Sequence, residues 1–229
     1  NVGTRNETNI LAVEQAKKYS GMYAAVGIHP EDVRDRAEEL YDELDKLDSL
    51  LGDKETRKEK KIVALGEIGL DYHYEGFDKA LQFECFDAQM AIAKNKKLPV
   101  IIHDREAHGD CFDRVLANPD VRGVFHSYSG SAEMAKDLVR RGWYISFSGV
   151  VTFKNAPKVR EAVATVPLDR ILIETDAPYL APHPYRGRIN HSGLMRYTAE
   201  AIAEIKGVST EEIIEITCKN SFELFGIDY

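Results

Sequence analysis

Cysteine is scarce in this sequence of 229 residues: Cys85, Cys111 and Cys218 are an odd number, far apart, and none belongs to a Cys-x-x-Cys pair. A disulfide framework does not fit that count, so a reducing, cytoplasmic setting is the expectation. Positive charge is also in deficit. With 30 Lys and Arg against 38 Asp and Glu the formal net charge is −8, and no broad basic surface advertises nucleic acid or lipid. The densest basic run, "RKEKK" at 57–61, reads as a solvated loop. No apolar stretch approaches the ~20 residues needed to span a bilayer, so no membrane partner is expected. No Gly-x-Gly-x-x-Gly turn follows any candidate strand. That absence weakens a doubly wound, nucleotide-binding fold.

What is present is an alternation of short β-branched runs and amphipathic stretches. The strand candidates are 22–28 ("MYAAVGI"), 62–67 ("IVALGE"), 98–102 ("LPVII"), 122–126 ("RGVFH"), 143–148 ("WYISFS") and 170–175. They read as continuously buried, which suits a parallel sheet covered by helices. Helical periodicity falls at about 7–19, 38–51, 78–95, 106–117, 131–141, 156–165, 193–206 and 209–217, with a short turn near 220–225. Ser209 and Glu212 form a capping box before the penultimate of these elements. Strand then helix, many times over, predicts an α/β chain, and a (β/α) barrel in particular. "NVG" at 1–3 looks like the end of a seventh strand, where a closed barrel has eight. No linker divides the chain, so 1–229 is expected to be a single domain: a TIM (β/α)8-type barrel incomplete at its N-terminus, the first strand missing.

Polar residues fall where the strands stop. His29 follows 22–28, Glu67 closes 62–67, His103 follows 98–102, His126 closes 122–126 and Asp176 follows 170–175. In a barrel those carboxyl ends converge on the face that carries the active site. Histidines and carboxylates together suit divalent cations such as Zn, Mn or Mg. Taken singly, each has a plainer reading: a strand-end His is often only hydrogen-bonded, Glu67 has Arg105 or Lys61 as possible partners, and Asp176 would cap a turn. His73, His108, His183 and His191 lie in loops or helices and are set aside as ligands.

The segments "GEIGLDYHY" (66–74), "HDREAHGD" (103–110), "HSYSG" (126–130) and "ETDAPYLAPHPYRGRIN" (174–190) resemble the TatD family of metal-dependent deoxyribonucleases, within the amidohydrolase-like superfamily. "VGIHP" (26–30) and "TCKNSFELFGI" are similar to that family too, so the resemblance covers essentially the whole chain. It implies a TIM barrel with a divalent-metal site at its mouth, holding one or two ions of Mg, Mn or Zn. It further implies Glu67 as a bridging carboxylate, His103 and His126 as ligands of one metal, and Asp176 as the acid that binds the other and steers the attacking water. Glu174 shares a strand face with Asp176 and is expected to hydrogen-bond rather than to catalyse.

Two departures stand out. The family opens with a His-x-His pair on its first strand, and this sequence has none. The chain also begins at Asn1 rather than Met, which predicts a trimmed product missing roughly 25–40 residues, the size of one βα unit. After Asn190 the family continues Glu-Pro, where His191 and Ser192 stand here. The expected chemistry is phosphodiester hydrolysis by metal-activated water. Candidate substrate contacts are His29, Arg105, Arg186 and Arg188, each with a structural alternative: the end of a strand for His29, a salt bridge for each arginine. Tyr128 is a candidate for base stacking or for packing against its own loop. The expected partner is DNA, single-stranded or at ends, bound weakly. Two other readings stay open: a related hydrolase of a lactone or amide, and a non-catalytic fragment.

Overall fold

The structure, a computed structural model, describes residues 1–33 and 38–228. It comprises two compact units, Asn1–Gly123 and Val124–Tyr229.

In the first unit three parallel strands lie in chain order: β1 (Ala24–Val26), β2 (Ile62–Asp71) and β3 (Val100–Arg105). Their apolar residues are buried on both faces, the pattern expected of strands covered by helices. The helices are α1 (Asn6–Lys18), α2 (Pro30–Val33), α3 (Leu40–Leu51), α4 (Lys54–Lys60), α5 (Lys79–Lys96) and α6 (His108–Ala117). Val2 makes an isolated parallel bridge to Ala25, where "NVG" was expected to end a further strand.

The second unit repeats the pattern with β4 (Gly123–Phe125, beginning at the boundary), β5 (Tyr144–Phe147) and β6 (Ile171–Ile173), again parallel and in order. Its helices are α7 (Ala132–Arg140), α8 (Pro157–Thr165), α9 (Met195–Lys206) and α10 (Thr210–Phe225). Trp143, Phe125, Phe147 and Ile145 fill its core, with the Phe125 and Trp143 rings edge to face at 5.4 Å.

Two expectations are corrected. The basic run at 57–61 lies largely within α4 rather than in a loop. Asp53 caps that helix by accepting from the Thr56 N–H, and Arg57 and Lys60 turn toward neighbouring backbone. Arg57 donates to the carbonyls of Gly52 and Lys96, and Lys60 to that of Leu50, so the run satisfies carbonyls at the C-terminal ends of α3 and α5. At the other end of the chain, α10 continues unbroken to Phe225, where a helix to 217 and a separate turn were expected. Asn220, which looked like a breaker, faces inward and donates to the carbonyls of Leu168 and Ile171.

Asn220 belongs to a recurring device. A strand end carries backbone groups that no neighbouring strand reaches, and these are costly to bury unpaired. Asn9 of α1 exchanges two hydrogen bonds with the backbone of Gly27 (2.9 and 3.0 Å). Gln89 of α5 does the same with Ile28 (2.8 and 3.0 Å), and Gln82 with Asp71 (both 2.9 Å). Each amide is both donor and acceptor, so one side chain closes a backbone N–H and C=O together. These clamps fix the chain next to His29 and at Asp71, where the polar site begins.

Candidate metal centre

Strand β2 does not stop at Glu67. It runs on to Asp71, pairing Gly69 with His103 and Asp71 with Arg105. The pairing slips between Leu65 and Ile68, and Glu67 sits in that irregularity. Alternation then carries Glu67, Gly69 and Asp71 along one side. Gly69 leaves room for the neighbouring strand: a Cβ there would meet the His103 carbonyl oxygen at 2.0 Å. His103 and Arg105, expected after a strand, lie inside β3.

Three predicted residues therefore meet in the first unit. Glu67 Oε2 lies 3.5 Å from His29 Nε2 and 3.8 Å from His103 Nδ1, and the two imidazoles stand edge to face at 4.2 Å. Ligand atoms of these three residues all fall within 4.8 Å of one another. Donors about 2.1 Å from a tetrahedral ion would be separated by about 3.4 Å, so the spacing suits a shared cation. Neither Arg105 nor Lys61 takes Glu67: Arg105 stacks on Tyr74 at 5.2 Å, and Lys61 donates to the carbonyls of Tyr19 and Ser20.

Hydrogen bonds divide the two histidines by role. His103 Nε2 donates to Asp71 Oδ2 at 2.9 Å, which places the proton on Nε2 and the lone pair on Nδ1, the atom facing Glu67. A carboxylate behind a histidine fixes the tautomer and raises ligand basicity in this way. His29 is the reverse. Its Nδ1 accepts from the Glu31 backbone N–H at 3.2 Å, so the proton sits on Nε2 and the side chain faces Glu67 as a donor. The chemistry of the set thus fits a divalent ion held by Glu67 and His103, with His29 beside it as a hydrogen-bond donor.

Asp71 was missed in the sequence, where it looked like the exit from a strand. It is 2% exposed. Burial alone would raise its carboxyl, but the bonds from His103 and from the His73 backbone N–H hold it below the usual range. Asp71→Asn should weaken divalent-metal binding by about 10- to 100-fold, the usual cost of losing such a supporting carboxylate. Isothermal titration of the metal-stripped chain would measure this; unchanged affinity would remove Asp71 from the centre. The same carboxylate lines a cavity of about 430 Å³ with Glu31, Asp32, Glu75, Tyr74 and Phe77.

The second unit holds a parallel arrangement. His126 follows β4, and its Nδ1 donates to Glu174 Oε2 at 3.3 Å, which places the proton on Nδ1 and the lone pair on Nε2. The Ser127 backbone N–H donates to the other Glu174 oxygen. Glu174 therefore orients His126, the hydrogen-bonding role expected of it. Asp176 lies beyond β6 with φ of 57°. Lys61 and Lys97 adopt positive φ as caps of α4 and α5, whereas Glu106, Ser127, Asp176 and Leu180 do so in the loops that follow β3, β4 and β6. Non-glycine residues held in that region carry strain that concentrates at functional sites. Tyr128 is 3% exposed with its hydroxyl on the Ser131 carbonyl, so it packs within its loop. Arg186 lies over Phe153 and Arg188 over Tyr185, neither in a salt bridge among the described residues.

Residues 1–226 match the family described as TatD related DNase. A relative from Bacillus subtilis (strain 168), the uncharacterized metal-dependent hydrolase YabD, is 43% identical over 229 residues, covering 99% of this chain and 86% of its own length. The crystal structure of YJJV, a TatD homolog from Escherichia coli K12, is similar with a TM-score of 0.90 at 29% identity, over 99% of this chain and 85% of that one. An uncharacterized amidohydrolase from Saccharomyces cerevisiae is similar in fold alone, with a TM-score of 0.80 at 19% identity over 98% of this chain and 87% of that one. These neighbours assign the parallel strands and covering helices to the α/β, TIM-barrel class.

Proposed function

The chain belongs to the TatD-related DNase family, and from that premise we propose that this metal-dependent hydrolase cleaves phosphodiester bonds of DNA. The proposed ligands are Glu67, His103, His126 and Asp176, matched through the family's motifs. One observation carries the proposal: Asp71 behind His103 and Glu174 behind His126 present each imidazole in a metal-binding tautomer. A bound divalent ion supplies Lewis acidity, polarising phosphoryl oxygens and making water acidic enough to attack at neutral pH.

The chain's own groups do the rest. Asp176 takes the proton of the attacking water as its oxygen bonds to phosphorus. The opposite P–O bond breaks, and the departing oxygen gains a proton from solvent. His29, with a proton on Nε2, offers a hydrogen bond to a phosphoryl oxygen beside Glu67. Arg105, stacked on Tyr74, offers a guanidinium to the other diester oxygens. With net charge −8 the protein has little to hold long duplex DNA, so single strands and ends are the proposed substrates. Cys85, Cys111 and Cys218 are free, in keeping with a reducing compartment and a proposed cytoplasmic location. Among the described residues no helix is long and apolar enough to cross a membrane.

Side-by-side assays of bis(p-nitrophenyl) phosphate, a p-nitrophenyl ester and a γ-lactone, with Mg, Mn or Zn added, test this reading. Metal-dependent turnover of the phosphodiester is the expected result. Turnover of the ester or lactone with none of the phosphodiester would overturn it.

A further inference from the structure

The other strands end on His29, Glu67, His103, His126 or Asp176, but no residue singled out for the centre follows β5. Ser148 stands there, 2% exposed. It precedes a short 3-10 helix, Gly149–Thr152, where a serine hydroxyl ordinarily accepts an N–H of the first turn. This hydroxyl makes no such cap. It turns away from its own helix, and its Oγ lies 2.8 Å from Ser127 Oγ in the loop after β4.

That partner gives the detour a purpose. Ser127 holds φ of 41°, a left-handed backbone that a residue with a Cβ adopts only at a cost. In this conformation its N–H donates to Glu174, whose other oxygen accepts from His126 Nδ1. Relaxation of the dihedral would turn the peptide and draw that N–H off the carboxylate. The end of β5 braces both halves of the His126–Glu174 pair. The Tyr128 N–H donates to the Ser146 carbonyl at 3.0 Å, and the Glu174 N–H to the Phe147 carbonyl at 3.2 Å. Beyond Ser148 the chain is held too, since a Cβ on Gly149 would meet the Leu180 carbonyl oxygen at 2.2 Å. Residues 146, 147 and 148 thus fasten 128, 174 and 127. The first two ties are backbone, and the third is a side chain that substitution can cut.

We propose that Ser148 is a positioning residue of the metal centre: its hydroxyl keeps Ser127 in the left-handed conformation, so that Glu174 stays fastened to the loop and holds His126 in its metal-binding tautomer. The inference rests on the reading of His126 as a ligand and involves no contact with substrate. The test is isothermal titration of Zn²⁺ into the metal-stripped full chain. Ser148→Ala should weaken the His126-dependent binding step about tenfold, the lower end of what loss of an outer hydrogen-bond partner costs a metal site. Glycine adopts positive φ without the Cβ penalty. Adding Ser127→Gly to Ser148→Ala should therefore recover most of the lost affinity, which a hydroxyl that merely filled space would not allow. A Ser148→Ala affinity within twofold of wild type overturns the proposal, and so does a loss that Ser127→Gly leaves in place. His126→Ala separates the two claims. If it removes no binding step, the ligand assignment falls and this inference falls with it. If it removes a step that Ser148→Ala leaves untouched, this inference alone is overturned.

Discussion

Glu67→Gln is expected to lower kcat for bis(p-nitrophenyl) phosphate about 10³-fold, equivalent to about 4 kcal/mol of barrier. The change keeps the shape of the side chain and removes only its charge. The Glu67 carboxylate lies within 4 Å of both His29 and His103. An amide is a much weaker ligand than a carboxylate, and loss of one anionic ligand costs several kcal/mol of transition-state charge stabilisation. Metal titration should report weaker binding in parallel, separating loss of the ion from loss of substrate. Far-UV circular dichroism should be unaltered, because the amide keeps the size and shape of the side chain. Retention of kcat within tenfold would show that Glu67 is not a ligand.

The fold was legible because its signals are local. All six strands sit on the β-branched runs that announced them, and Ser209 caps α10 through the Glu212 N–H as its spacing predicted. α4 was not legible, because "KETRKEK" has no apolar stripe. What makes it a helix is the Asp53 cap and the carbonyls that Arg57 and Lys60 reach, and those belong to residues elsewhere. The centre was half legible. Glu67 and His103 stood out as polar residues breaking apolar runs. Asp71 did not, because β2 continues past Glu67 only through its pairing with β3, and that pairing is a long-range fact. Periodicity could have raised it, since 67, 69 and 71 alternate. Arg105 did not take the salt bridge offered as its structural alternative: among the described residues it stacks on Tyr74. The buried carboxamides are invisible to any pattern of apolar residues, because each is buried by what it bonds to rather than by its own hydrophobicity.

That last class carries the largest expected change in stability. Gln89→Leu should destabilise the folded chain by about 2–5 kcal/mol. Gln89 is 0% exposed on α5 and is the partner of both the N–H and the C=O of Ile28. Leucine fills similar space but leaves those two buried groups unpaired, at about 1–3 kcal/mol each. Against a total stability of about 5–15 kcal/mol that is a large fraction. For a chain of this size it corresponds to a fall in Tm of about 5–15 °C. Ile28 precedes His29, so the loosened strand end should also reach the site, raising KM where His29 touches substrate while metal affinity holds. Urea unfolding measures the first effect and steady-state kinetics the second. A loss below 1 kcal/mol would mean that the end of β1 is held by its strand pairing alone, and the amide clamps would then be incidental to how the fold presents its polar centre.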